Sequence, residues 1–244
     1  MLNFNGIDIP NFIKVKKVDI QVLPDISFDT FELSRGCITS KTRLGKKLIK
    51  ASIVIIPNKE YDSLEKCSRS LAEWLMGDNF ELSKLILETD PTIYYMAKLS
   101  TTVSISDLLV AGSGELDFIV PSGLGVSATP TEYAGGTGSI PIEYIGTAPA
   151  TISIDCTFSS SINNETLIFS NDLTGKRYSV TGTFNQGDHL SINTATDVVK
   201  LNDSLILSMI NIDSEEIEIV KGKQNITCNN SNVYMKVTAP VNYL

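Results

Sequence analysis

Only one stretch of this chain repeats with the period of a helix, while nearly everything else repeats with the period of a strand. That imbalance restricts the fold more than any other feature. From Asn58 to Gly77, the residues Tyr61, Leu64, Cys67, Leu71, Trp74 and Leu75 recur at three- and four-residue steps and so share one helix face. Asn58 is the expected N-cap and Gly77 the expected stop. An apolar stripe has to be buried, and with strand-like runs on both sides the available cover is the open face of a sheet. The first half is therefore expected to be a sheet with one helix laid on it.

The flanking pattern supports this. Val18, Ile20 and Val22 alternate with Asp19 and Gln21 until Pro24; residues 28–33 alternate again, and Leu48 to Ile56 is apolar enough for a central strand. Between the last two runs, Ser34 to Lys50 is basic, carrying Arg35, Lys41, Arg43, Lys46, Lys47 and Lys50. A basic tract between two strands reads as a long hairpin or arm, either a solvated loop or a limb reaching an acidic surface of a neighbouring copy. Arg35, Arg43 and Lys46 are its candidate subunit-contact residues. After the helix come strands at Glu81–Leu87, Ile93–Val103 and Leu116–Val120, with a loop or short helical turn at Ser106–Gly114. Tyr94 and Tyr95 fall on opposite faces of their strand. Residues 1–122 are thus expected to form an N-terminal β-sandwich or partly open barrel with one packed helix.

Composition then shifts. Residues 123–141 are rich in Gly, Ser, Thr, Ala and Pro, including Gly135-Gly136-Thr137-Gly138, which suits a linker or an extended edge segment. From 142 to 244 the pattern is strand and turn throughout. Ile152, Ile154, Cys156 and Phe158 alternate with polar residues, and short strands follow at 166–170, 177–183, 189–193, 197–201, 216–220 and 232–237. Many short strands with regular turns predict a second β-sandwich or jelly roll without a helix.

Chemistry is sparse. A net charge of −8 and a pI near 4.7 argue against a dedicated nucleic-acid binder and a polybasic membrane anchor. Residues 1–10 lack the basic and apolar regions of a secretory signal, and the longest dense apolar run is Ile53–Ile56. Cys37, Cys67, Cys156 and Cys228 lack zinc or redox spacing and are expected to be small buried hydrophobes in a reducing compartment. His189 reads as a surface-turn residue with no nucleophile motif beside it. Glu215, Glu216 and Glu218 have glycosidase-like chemistry, but Glu216 and Glu218 occupy the polar side of a strand. Gly112-Ser113-Gly114 and Gly123-Leu124-Gly125 open no phosphate-binding helix. No catalytic residue, metal or cofactor is therefore expected. A sugar platform would need several exposed rings, and the second half offers Phe158, Phe169, Tyr178, Phe184 and Tyr234.

Taken in order, several pieces resemble the distal tail protein family of siphophages over essentially the whole chain. They are Phe4-Asn5-Gly6-Ile7-Asp8, Leu23-Pro24, the strand Lys47–Ile56 ahead of Leu71-Ala72-Glu73-Trp74-Leu75, Tyr95-Met96-Ala97-Lys98-Leu99, and Gly114-Glu115-Leu116-Asp117-Phe118 closed by Pro121. In the second half they are residues 145–154, Gly187-Asp188-His189-Leu190-Ser191-Ile192, and residues 220–226. The chain departs from the family pattern at Arg35-Gly36-Cys37. The resemblance implies a homohexameric ring, built by the first domain, that joins tail tube to tail tip or baseplate. The second, galectin-like or jelly-roll domain would project outward. Implied partners are the tail tube protein, a tail-tip or tail-associated lysin hub protein and a receptor-binding protein, at the virion tail tip after synthesis in the bacterial host cytoplasm. The alternative is a carbohydrate-binding module acting through the C-terminal sandwich.

Overall fold

The computed structural model describes residues 2–56, 58–60, 63–76, 81–100 and 114–244. The chain divides into two compact units, Met1–Ala128 and Thr129–Tyr243. The described residues are mainly β, with one α-helix.

In the first unit, β1 (Leu2–Phe4), β2 (Ile7–Asp8) and β3 (Ile13–Ile20) are followed by four short strands: β4 (Ile26–Ser27), β5 (Thr30–Glu32), β6 (Cys37–Thr39) and β7 (Arg43–Leu44). Then come β8 (Lys47–Ile55), α1 (Leu64–Met76), β9 (Ser83–Leu87), β10 (Asp90–Leu99), β11 (Gly114–Val120) and β12 (Gly125–Ser127). The main sheet is open and antiparallel, in the order β2-β1-β9-β10-β11-β8-β3, with β12 paired to β10. Register places Leu116, Phe118 and Val120 opposite Ala51, Ile49 and Lys47, and Phe4 opposite Leu85, so one face collects the apolar side chains. The helix stripe covers that face. Cys67, Leu71, Trp74 and Leu75 are buried in one cluster with Phe4, Phe118, Ile49 and Leu85. The Trp74 ring meets Phe4 at 6.1 Å and Phe118 at 6.5 Å, and its indole N–H donates to the Ile7 carbonyl at 2.9 Å. Each large side chain taken out of water here contributes about 1.5–3 kcal/mol.

The helix starts later than its periodicity suggested. Ser63 is the cap, its hydroxyl accepting from the Lys66 N–H at 3.3 Å. Asn58 instead turns its own loop, accepting from Glu60 N–H at 3.0 Å while its amide donates to Asn11 at 2.9 Å. Tyr61, the Leu64 side chain, Gly77 and most of the expected loop at 106–114 lie outside the described residues.

Residues 123–141, read from composition as a linker or edge segment, carry strands. Besides β12 there are β13 (Thr131–Thr137) and the start of β14 (Ser139–Tyr144). The glycines do not prevent this because β13 is an edge strand with a register shift between Tyr133 and Gly136. Pro141 is tolerated for the same reason: β14 pairs on one side only, so the absent N–H breaks no ladder.

The rest of the second unit comprises β15 (Ala150–Thr151), β16 (Ser153–Phe158), β17 (Ile162–Asn171), β18 (Arg177–Phe184), β19 (His189–Asn193), β20 (Val198–Leu201), β21 (Ser204–Leu205), β22 (Glu218–Ile219), β23 (Gly222–Cys228), β24 (Val233–Ala239) and β25 (Asn242–Tyr243). A 3-10 turn spans Leu207–Met209. Two antiparallel sheets, β13-β24-β16-β19-β20-β21 and β14-β23-β17-β18, share a single core that includes Ile154, Cys156, Phe169, Tyr178, Ile226 and Val237. That is the sandwich the alternation predicted. Strand β23 was hidden by its composition, since Gln224 sits at an inward position. Its buried amide is satisfied by Asn171 and by the Val220 backbone, so the polar residue costs little.

Candidate assembly interface

The basic tract folds into a projecting two-stage hairpin. At its base β4 pairs with β7, and farther out β5 pairs with β6, with a one-residue offset between the two ladders. Asp29 and Ser40 bridge the offset through backbone and hydroxyl hydrogen bonds of 2.7 Å. The tip closes with Leu33 N–H donating to the Gly36 carbonyl at 2.9 Å, and Gly36 adopts φ +87°, open to glycine without strain. Every residue from Asp25 to Leu44 except Ser40 is exposed.

Pairing sorts the outer hairpin into two unlike faces. Phe31 stands opposite Ile38, and Leu33 falls on the same side, whereas Thr30, Thr39, Glu32 and Cys37 occupy the other. Phe31 is 60% exposed and Ile38 56%. Closer to the base, Ile26 and Leu44 form a further exposed apolar pair. An isolated two-stranded ribbon is marginal in water, and this one turns apolar residues outward, which makes it a candidate contact surface.

Arg35 lies at the tip, Arg43 on β7 and Lys46 at the root, strung along the arm, all exposed. Lys47 departs from the expected basic tract: it is the first residue of β8, buried on the core face, where burial lowers its ammonium pKa. Lys50 lies on the opposite face, 4.0 Å from Asp117. Cys37 also departs from expectation, being exposed on the polar face of the arm, while Cys67, Cys156 and Cys228 are buried. The apolar face is what the sequence reading missed. Its signal was present in the alternation of residues 28–33, but Phe31 and Ile38 join one face only once the hairpin register is known.

The two long sheet edges of this unit are less available. β2 is two residues long, and β3 carries Lys14, Lys16 and Lys17 around a register shift between Val15 and Lys17, a lysine-and-bulge pattern that discourages strand addition.

In the second unit, Phe158, Phe169, Tyr178 and Phe184 are all core residues, with burial, then Asp197, pushing the Tyr178 hydroxyl up to about 12. Of the five rings considered for a sugar platform, Tyr234 alone is exposed. His189 begins β19, half exposed, 3.8 Å from Asp155. Glu218 is held by Lys176 at 2.7 Å in an ion pair between β22 and the turn before β18, and Glu215 and Glu216 are exposed. Among the described residues no group of three or more His, Cys, Asp or Glu side chains is arranged to hold a metal.

Comparison with known proteins bears on the fold. Residues 145–240 match the family model described as the siphovirus-type tail component, C-terminal domain. The whole chain has the fold of the Dit protein of phage SPP1, with a TM-score of 0.79 at 15% identity, covering 100% of this chain and 98% of that one. That protein is described as a paradigm of the hub adsorption apparatus in phages infecting Gram-positive bacteria. A chain of the activated phage P2 baseplate aligns with a TM-score of 0.48 at 8% identity over 93% of this chain and 90% of its own. No curated protein matches. The resemblance to distal tail proteins seen in the sequence is borne out in the fold and in the C-terminal match.

Proposed function

We propose that this chain, which has the fold of a siphophage distal tail protein, assembles into a homohexameric ring that joins the tail tube to the tail tip and serves as hub for the adsorption apparatus. The observation that carries the reading is the arm: Phe31, Leu33 and Ile38 form an exposed apolar face. A second copy supplies its cover. Because the arm is one surface and its seat another, the contact is head-to-tail, the class of interface that closes into rings. The first unit builds the ring, and the tail tube protein, the tail-tip hub protein and a receptor-binding protein are its partners in the tail. The protein acts by assembly, at the virion tail tip, after synthesis in the host cytoplasm.

Negative-stain images of the purified protein test this. Six-fold rings are expected, and particles of single-chain size at every concentration and salt would contradict the reading. Arg35, Arg43 and Lys46 supply steering charge along the arm. Reversing Arg35 and Arg43 together is expected to weaken association at low salt and less so at high salt, as screening removes the attraction. An oligomer untouched in both conditions would remove those residues from the interface.

A further inference from the structure

The arm leaves the sheet through a constriction, and its consequence for assembly rests on the ring reading above. Pro24, buried just before β4, and Gly45, just after β7, form the two sides of the arm's root. The turn that follows β11 lies against both. Gly123 sits in that turn at φ +70°, its N–H donating to the Val120 carbonyl at 3.0 Å. A Cβ on Gly123 would stand 2.6 Å from the Gly45 carbonyl oxygen and 2.7 Å from the Pro24 Cβ, closer than any side chain tolerates. The backbone of the body therefore touches both sides of the root in a contact that only glycine permits.

A second set of bonds closes the same joint. The Gln21 N–H donates to the Leu48 carbonyl at 3.1 Å, and its side-chain oxygen accepts from the Leu48 N–H at 3.0 Å. The Gln21 amide then donates to the Asp25 carboxylate at 3.2 Å. Asp25 N–H donates to the Lys46 carbonyl at 2.8 Å, and Gly45 N–H to the Asp25 carbonyl at 2.7 Å. Beyond this joint the hydrogen bonds of the exposed arm, among the described residues, run within the hairpin itself. Ten residues of strand from root to tip reach about 30 Å, so a tilt of about 10° at the root moves the tip about 5 Å. That displacement is larger than a van der Waals contact distance and would unseat Phe31.

We propose that Gly123 is the positioning residue of the arm: its close contact with Gly45 and Pro24 fixes the angle at which the hairpin is presented to the next copy. The test compares two alanine variants with the same backbone cost. Gly6 has φ +77° in the same unit, and a Cβ there would meet no atom within 4 Å. Gly6→Ala thus carries the conformational strain without the collision, and Gly123→Ala carries both.

Cys37 is an exposed native labelling site on the arm, and Glu115→Cys supplies an exposed one on β11. Spin-label distances are measured between them, diluted with unlabelled protein so that intramolecular pairs dominate. Gly6→Ala is expected to keep the wild-type distance and oligomer, whereas Gly123→Ala shifts or broadens the distance and weakens association at least tenfold. A Gly123→Ala distance identical to that of Gly6→Ala would overturn the assignment. Should Gly123→Ala fail to fold, Pro24→Ala keeps the Cβ but removes the ring Cγ, 3.2 Å from the same point, and so loosens the contact from the other side. A broadened distance in Pro24→Ala supports the assignment, and an unchanged one overturns it. Replacing residues 29–40 by a short turn separates the two levels: rings that persist without the arm take the arm out of the subunit contact, particles of single-chain size from the native protein sink the ring reading, and the distances judge Gly123 independently.

Discussion

Two antiparallel hairpins in this molecule are built from the same kind of cross-strand pair and end in opposite environments. In β17 and β18, Leu167 faces Val180 and Phe169 faces Tyr178, and all four are buried. In the arm, Phe31 faces Ile38 and Ile26 faces Leu44, and all four are exposed. Pairing alone aligns the apolar side chains in both, but it buries neither set, because the neighbours on a ribbon shield only one another. The first hairpin finds the opposing sheet of its own sandwich. The second stays exposed among the described residues, which is the physical ground for proposing another copy as its cover.

The comparison is broken most forcefully in the buried hairpin. Phe169→Ala is expected to cost about 3–5 kcal/mol of folding stability. Denaturant titration of the second unit reads this as a lower midpoint, and a midpoint near wild type would mean that the core around Phe169 is looser than described. Gln224→Ala should cost about 1–3 kcal/mol in the same titration, because it strips partners from the Asn171 amide and the Val220 backbone.

The arm should answer differently. Phe31→Ala is expected to leave the unfolding midpoint of the subunit within about 0.5 kcal/mol, since surface changes seldom exceed that. It should nonetheless weaken association by about 2 kcal/mol, as for a central aromatic anchor. Sedimentation over a concentration series separates the two numbers, and a variant that destabilises the subunit while leaving association intact would invert the comparison.

The smallest effect concerns acid. The backbone N–H and then the side-chain amide of Asn225, each at 2.7 Å, hold the Asp172 carboxyl below the usual carboxylate range. The Asn202 amide and then the Asn185 N–H do the same for Asp188. A carboxyl more acidic folded than unfolded contributes stability that is complete above its unfolded pKa of about 4 and is lost as pH falls through the folded value. Thermal unfolding of the second unit should therefore fall off below about pH 4. Asp172→Asn should flatten that decline, and an equally steep decline in the variant would take Asp172 out of it.

Much of this fold was readable in the chain because periodicity reports burial. Cys67, Leu71, Trp74 and Leu75 lie where the 3.6-residue step put them, and β16 and β19 where the two-residue step did. What escaped depends on partners distant in sequence. Asn58 has a capping side chain, but its bond to Asn11 and the later turn of the chain give the cap to Ser63. Strand β23 carries a polar residue at an inward position because Asn171, on another strand, completes its hydrogen bonds. The basic arm was legible from its charges, whereas its apolar face depends on the pairing of Phe31 with Ile38, and Lys47 left the arm because β8 begins there.

The most direct measurement is the mass in solution, by light scattering over a range of concentration and salt, of the native protein and of the double variant Phe31→Ser/Ile38→Ser. The expected result is a native mass six times the 26.6 kDa chain, or a stack of two such rings, and a variant that keeps its thermal midpoint but falls to a single chain. A native protein of one chain at every condition, or a variant that assembles as the native protein does, would contradict an arm that holds the ring together.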